Sequence, residues 1–297
     1  MSATSRKESE IEKKNNIKEL GSGFRVLAGF GAIADETPTI ETAMALAGAL
    51  EADITGCFVE DVDLLNLAAL PFARAVRPAD RSVLEIEHDQ MQRQIARAAS
   101  VCEELLLARA SGARVRCTFQ TKKGGYLSEI ARETATRDIV VVNPLNLPHR
   151  RRDAVSALLD GLRQAAGAVI LPERARPGTR GPVVFVASGP AGGPGGLDLA
   201  ERIARTMTER TIVLTSNDEE TAGTGSREDA PERAGSRIDF RHVSGNQPQA
   251  IAATLEEVRP SFVVVQASAS RLTDPMIDLL LRAGRAPLLL LRRTDGR

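Results

Sequence analysis

GGYLSEIARETATRDIVVVN, Gly124 to Asn143, is the stretch that decides the fold. Two glycines open it, and Tyr126, Leu127, Ile130 and Ala131 follow at helical spacing. It closes on Ile139 to Val142, a continuous β-branched run. Such a run belongs in the middle of a parallel sheet, where both faces are covered and no polar alternation is needed. The same order returns later as GNQPQAIAATLEEVRPSFVVVQ, residues 245–266. Gly124 stands six residues before Ile130-Ala131, and Gly245 stands six before Ile251-Ala252. The chain is therefore an internal repeat, visible in the order of elements rather than in identities.

Working outward, each copy reads as strand and helix in alternation. In the first, Phe24 to Gly31 is a buried strand, and Thr37-Pro38 starts a helix that runs to Leu50. Ile54 to Val59 is the second strand, and Asp63 to Val76 a mostly apolar stretch broken by Pro71. A long helix is expected from Val83 to Ala110, followed by an alternating strand from Val115 to Phe119. After Ile139 to Val142 come a helix over Ala154 to Gln164 and a fifth strand, Ala168 to Leu171. The second copy has strands at Val183 to Ala187, Thr211 to Thr215, Ile238 to Val243, Phe262 to Val265 and Leu288 to Leu291. Its helices fall at Leu197 to Met207, Ala250 to Val258 and Pro275 to Arg282. The pattern predicts an α/β architecture of two tandem, doubly wound, five-stranded parallel sheets, Rossmann-like in kind. Residues 1–21 read as a mobile charged tail, 22–173 as the first unit, 174–181 as a Pro/Gly/Arg linker and 182–297 as a shorter second unit.

The copies differ at one place. Between strands two and three the first has residues 61–113, including the long helix, whereas the second has only 216–237, SNDEETAGTGSREDAPERAGSR. That segment holds no large apolar residue and cannot pack a helix. A bare sheet face over Ile212, Val213 and Leu214 is the consequence. Its expected cover is a second copy, the segment Leu64 to Val76, or a partner protein.

Composition narrows the function. Lys plus Arg and Asp plus Glu both number 39, so there is no basic surplus to displace counterions from nucleic acid. With eight Phe, one Tyr and no Trp, the aromatic content also argues against a base-stacking platform. The three cysteines, Cys57, Cys102 and Cys117, form no CxxC and suggest neither a disulfide framework nor a zinc site. No apolar run is long enough for a membrane span, and the N-terminus lacks a signal-like apolar core. A cytoplasmic location is expected. Of the histidines, His88 reads as solvated, His242 as packed on a strand, and His149 sits in a basic loop. Neither a hydrolase nor a metalloprotease motif is present. Glu60, Asp61 and Asp63 read as helix N-terminal charge rather than metal ligands.

Taken together, Arg25 to Ala52, the long helix, the GGYLSEIA and GNQPQAIAAT openings, VVVNPLN and the Ala286-Pro-Leu-Leu-Leu ending resemble the universal stress protein family in its tandem form. The resemblance covers nearly all of the chain after residue 22. It implies strand order 3-2-1-4-5 in each sheet and a contact between the halves through their fifth strands. It also implies a ligand crevice at the carboxyl ends of strands one and four, where open sheets switch direction. The implied binding set is Gly31, Asp35 and Val59 with Asn143, Asn146, Arg150, Arg151 and Ser156.

Nucleotide-binding members of that family carry Gly-x2-Gly-x9-Gly-Ser/Thr after strand four. Here the register reads Asn143-x2-Asn146-x9-Ser156-Ala157, with all three glycines replaced. Asn tolerates left-handed backbone, so the loop shape could survive, but Cβ atoms crowd a phosphate and Pro144 removes a donor. Strand one ends Gly29-Phe30-Gly31, and Asp35 is taken as the nearest acid. His149-Arg150-Arg151-Arg152 offers an anion-binding loop or a solvated basic one. The glycine-rich turn Ser188 to Gly196 is a weak phosphate signal, because Pro190 and Pro194 lack donors. The expectation is a non-enzymatic regulatory or binding protein of stress response, without a cofactor, acting as a homodimer or with a protein partner. Its alternatives are an ATP-binding module with weak hydrolysis or ATP-dependent switching, and a pure interaction scaffold.

Overall fold

The computed structural model describes residues 23–70, 74–76, 83–85, 88–146, 160–173, 180–187, 194–216, 238–243, 248–267 and 274–292. Twelve strands are described: β1 Arg25–Phe30, β2 Asp53–Asp61, β3 Arg74–Val76, β4 Val83–Glu85, β5 Cys117–Gly124, β6 Asp138–Val142, β7 Gly167–Ile170, β8 Val183–Ala187, β9 Thr211–Ser216, β10 Ile238–Val243, β11 Phe262–Ala267 and β12 Leu288–Arg292. The described α-helices are α1 Thr37–Leu50, α2 Val62–Ala68, α3 His88–Ala113, α4 Tyr126–Glu133, α5 Pro194–Met207, α6 Pro248–Val258 and α7 Asp274–Gly284.

Ten strands form one sheet in the order β10-β9-β8-β11-β12-β7-β6-β1-β2-β5. Read from either edge inward, each half has the order 3-2-1-4-5. Pairing within each half is parallel, and the halves meet where β12 runs antiparallel to β7, with Leu288 opposite Ile170 and Leu290 opposite Ala168. The fifth strands thus join the halves, as the family resemblance implied.

Alternation along the strands divides the core in two. Val26, Ala28, Ile139, Val141, Val183, Phe185 and Val264 point to one face, against α1, α3 and α5. Leu27, Val140, Val142, Val184, Val263 and Val265 point to the other, against α4, α6 and α7. This two-sided burial is why β6 and β11 read as unbroken apolar runs. Both apolar layers cross the joint: residues of the two halves mix on each face. Between the halves α1 packs on α5 closely enough that a Cβ on Gly48 would lie 3.1 Å from Thr206 Cγ2.

Local differences from the sequence reading have local causes. Val83 to Glu85 is not the start of the long helix; it pairs antiparallel with Arg74 to Val76 in a small separate hairpin. The helix begins at His88 instead. Helix α1 is capped one residue earlier than expected, at Glu36, so Thr37 and Pro38 fill its first turn. Asp61 caps α2, its carboxylate accepting the N–H groups of Asp63 and Leu64, while Glu60 pairs with Lys123 at 3.4 Å. The acidic cluster is therefore helix capping and surface pairing.

The bare face expected over Ile212, Val213 and Leu214 is not found, because helices of the same half cover both sides of β9. Ile212, Val213 and Leu214 are all buried, Val213 on the α5 side and its two neighbours on the α6 side. The exposed residue is Phe240 on edge strand β10, 52% accessible. Nor does the Leu64 to Val76 segment cover it, because α2 packs on α3 and β5 at the opposite end of the sheet. Segment 217–237, the N-terminal tail and nearly all of the 174–181 linker lie outside the described residues.

Candidate functional site

The switch between strands one and four falls where β1 and β6 diverge: β1 pairs with β2 on one side and with β6 on the other. Ligands of open α/β sheets sit at the carboxyl ends of such strands. Three segments converge there: the loop from Gly31 to Asp35, the first turn of α1, and the 3₁₀ turn Pro144–Asn146 after β6.

The residue that organises this place is Glu36, which sequence reasoning passes over in favour of Asp35. Glu36 is buried at the N-cap of α1, yet its side chain makes no cap bond. It folds back instead. The Gly31 N–H donates to Oε1 at 2.8 Å, Asn146 Nδ2 donates to the same oxygen, and the Thr39 hydroxyl donates to Oε2. Asn146 Oδ1 in turn accepts the Ala34 N–H at 3.1 Å. One asparagine therefore ties the β6 turn both to the carboxyl and to the β1–α1 loop. Burial pushes the Glu36 carboxyl up to about 7, even though its three donors favour the charged form; Asp35 adds to the upward push.

Asn143 and Asn146 stand at positions where the family resemblance leads one to expect glycine, but neither has a positive φ. Their part is played by side chains. Asn143 Oδ1 accepts the Leu145 N–H at 3.1 Å, closing an Asx turn, and both amides are buried. Gly31 serves close approach: a Cβ there would lie 2.6 Å from Asn146 Cγ. Below it, the hydroxyl of Tyr126 donates to the Gly29 carbonyl at 3.0 Å, and a Cβ on Gly29 would meet that hydroxyl at 2.9 Å. The chain's single tyrosine thus floors the crevice.

Of the other candidates, Asp35 is exposed and accepts the Thr37 N–H at 3.0 Å. Val59 is buried with Tyr126 and Ile130 in the core layer under α4. Arg150, Arg151 and Ser156, with His149, lie outside the described residues, as do most of the second half's turn at 188–193 and its strand-four loop at 268–273. The structure therefore brings Gly31, Asn143 and Asn146 together and adds Glu36, Thr39 and Tyr126. A signal for Glu36 was present: Glu36-x-x-Thr39 has the spacing of a capping box with its residues interchanged, although here the two side chains bond each other rather than each other's backbone. The cysteine thiols are held up by burial, Cys57 to about 11 and Cys102 to about 12, which makes them poor nucleophiles.

No protein-family model matches the chain, and a search of curated proteins gave no significant match. Comparison with solved structures is informative. A universal stress protein from Archaeoglobus fulgidus superposes with a TM-score of 0.59 at 12% identity, covering 92% of this chain and 97% of that one. The chain has the universal stress protein fold. A putative universal stress protein from Pseudomonas aeruginosa gives a TM-score of 0.54 at 12% identity, over 93% of this chain and 96% of that one. A functionally unknown Pseudomonas aeruginosa protein gives 0.52 at 11% identity, over 94% and 95%. The universal stress fold therefore extends across both halves, with coverage close to complete in each direction. Among the described residues no helix is long and apolar enough to cross a membrane.

Proposed function

We propose that the chain is a regulatory or binding protein of the universal stress family, cytoplasmic and non-enzymatic, whose first crevice is closed to nucleotides by its own side chains. The observation that carries this reading is Asn146. Its amide fills the space beneath Gly31 and spends its donor on Glu36 and its acceptor on Ala34. A phosphate in that place would meet a buried carboxyl rather than free backbone N–H groups, since the Gly31 N–H is already bonded to Glu36. The fold supports a stress-type role by analogy alone; the site supports binding through surfaces other than a nucleotide pocket. A protein partner or a second copy is the corresponding ligand.

Native mass spectrometry of the purified protein, with thermal melts in Mg-ATP, tests this. No co-purifying nucleotide is expected, and micromolar Mg-ATP should leave the melting temperature unchanged. A nucleotide at a hundred times its dissociation constant would add about 2.7 kcal/mol. A saturable rise in melting temperature would replace the reading with an ATP-dependent one.

A further inference from the structure

We propose that the Glu36 carboxyl is a proton-controlled latch on the first crevice: neutral, it keeps the β6 turn closed against the β1–α1 loop, and ionised, it favours local opening. The inference concerns the closure of the crevice and stands whichever ligand or partner the protein serves.

The geometry sets both parts of the device. Glu36 contacts all three converging segments, through Gly31, Thr39 and Asn146. The Asn146 turn has a further polar tie to the loop, from Asn146 Oδ1 to the Ala34 N–H, and a long one at 3.5 Å from Asn143 Nδ2 to the Asp35 carbonyl. Releasing Asn146 from Glu36 thus loosens the attachment between the β6 turn and the loop.

The charge environment sets the direction. The titratable groups acting with Glu36 are Asp35 on its own loop, Tyr126 on α4 and Cys102 on α3. None is a cation. Tyr126 and Cys102 are raised by burial and stay neutral, and Asp35 repels a second negative charge. All three partners of the carboxyl are neutral donors, which only partly offset the loss of water around a buried charge. Local opening returns water to the carboxylate, so ionisation and opening are linked. With a closed-state value of about 7 against an ordinary 4.5, opening rises as pH climbs between those values and levels off below and above them.

Amide hydrogen exchange of the whole protein, corrected for intrinsic rates, reads the latch at the N–H groups of Gly31 and Ala34. Their protection is expected to fall by on the order of fiftyfold from pH 5 to pH 8. It should not respond to low denaturant, whereas Val140 in the core of β6 should. Glu36→Gln keeps the size and hydrogen-bonding shape of the side chain, and should make protection at both amides independent of pH. Wild-type protection at Gly31 and Ala34 that is flat with pH, or that follows Val140 at every denaturant concentration, overturns the latch. Should the variant not fold, these wild-type readings decide alone. A folded Glu36→Gln variant that keeps the wild-type pH dependence also overturns it.

Discussion

Glu36 shows how one side chain can set a pH-dependent balance. A carboxyl held at about 7 in the folded protein binds its proton more tightly there than in the unfolded chain, where 4.5 is ordinary. Folding is therefore favoured relatively at low pH. That advantage is complete below about 4.5, is lost as pH rises, and is gone once pH passes through about 7. The loss corresponds to roughly 3–4 kcal/mol, each tenfold change in proton affinity being worth about 1.4 kcal/mol. Urea denaturation at a series of pH values should show Glu36→Gln gaining stability over wild type at pH 8 and converging with it near pH 4.5. An equal difference between the two proteins at every pH would assign the effect to packing instead. Asn146 is equally telling: by sequence it is a lapsed glycine with a tolerable backbone, whereas its buried amide is itself a structural contact.

At the scale of elements, burial follows helix cover. Phe185 on β8 lies beneath α5 and is 2% exposed, whereas Phe240 on edge strand β10 is 52% exposed. Phe185→Ala should cost about 3–5 kcal/mol, the usual loss for a large ring removed from a packed core. Phe240→Ala should change stability by less than about 1 kcal/mol in the same chemical denaturation assay. Comparable losses would mean that Phe240 is covered in solution. In the first half, β1 is pinned to β6 by a two-pronged Arg25–Asp138 pair at 3.0 and 2.6 Å. The helix order was legible because the apolar stripes are long. The β3–β4 hairpin was not, since three-residue strands carry too little periodicity to be told from a helix start.

At the scale of the molecule, ten of the twelve described strands form one sheet with two shared apolar layers. The β7–β12 joint and the α1–α5 contact tie the halves together through apolar packing. Unfolding should therefore be cooperative across the chain despite its repeat. Urea transitions followed by far-ultraviolet circular dichroism and by hydrogen exchange in each half should coincide. Two separated transitions would show that the joint is too weak to couple the halves.

The sequence by itself determined the repeat, the alternation of strands and helices, and the shorter second half. These are recorded in apolar periodicity, which burial on one or two faces imposes directly on neighbouring residues. The family resemblance, through the strand order it implies, also placed Gly31, Asn143 and Asn146 near one another, since that order sets where the carboxyl ends of strands meet. Only the tertiary structure decided that Glu36, rather than Asp35, enters the crevice and that Asn146 fills it. Adjacent residues of a loop share the same composition and charge. Which one turns inward depends on donors brought from Gly31, Thr39 and Asn146, and the last of these arrives from a distant segment of the chain that only the folded sheet sets beside the other two.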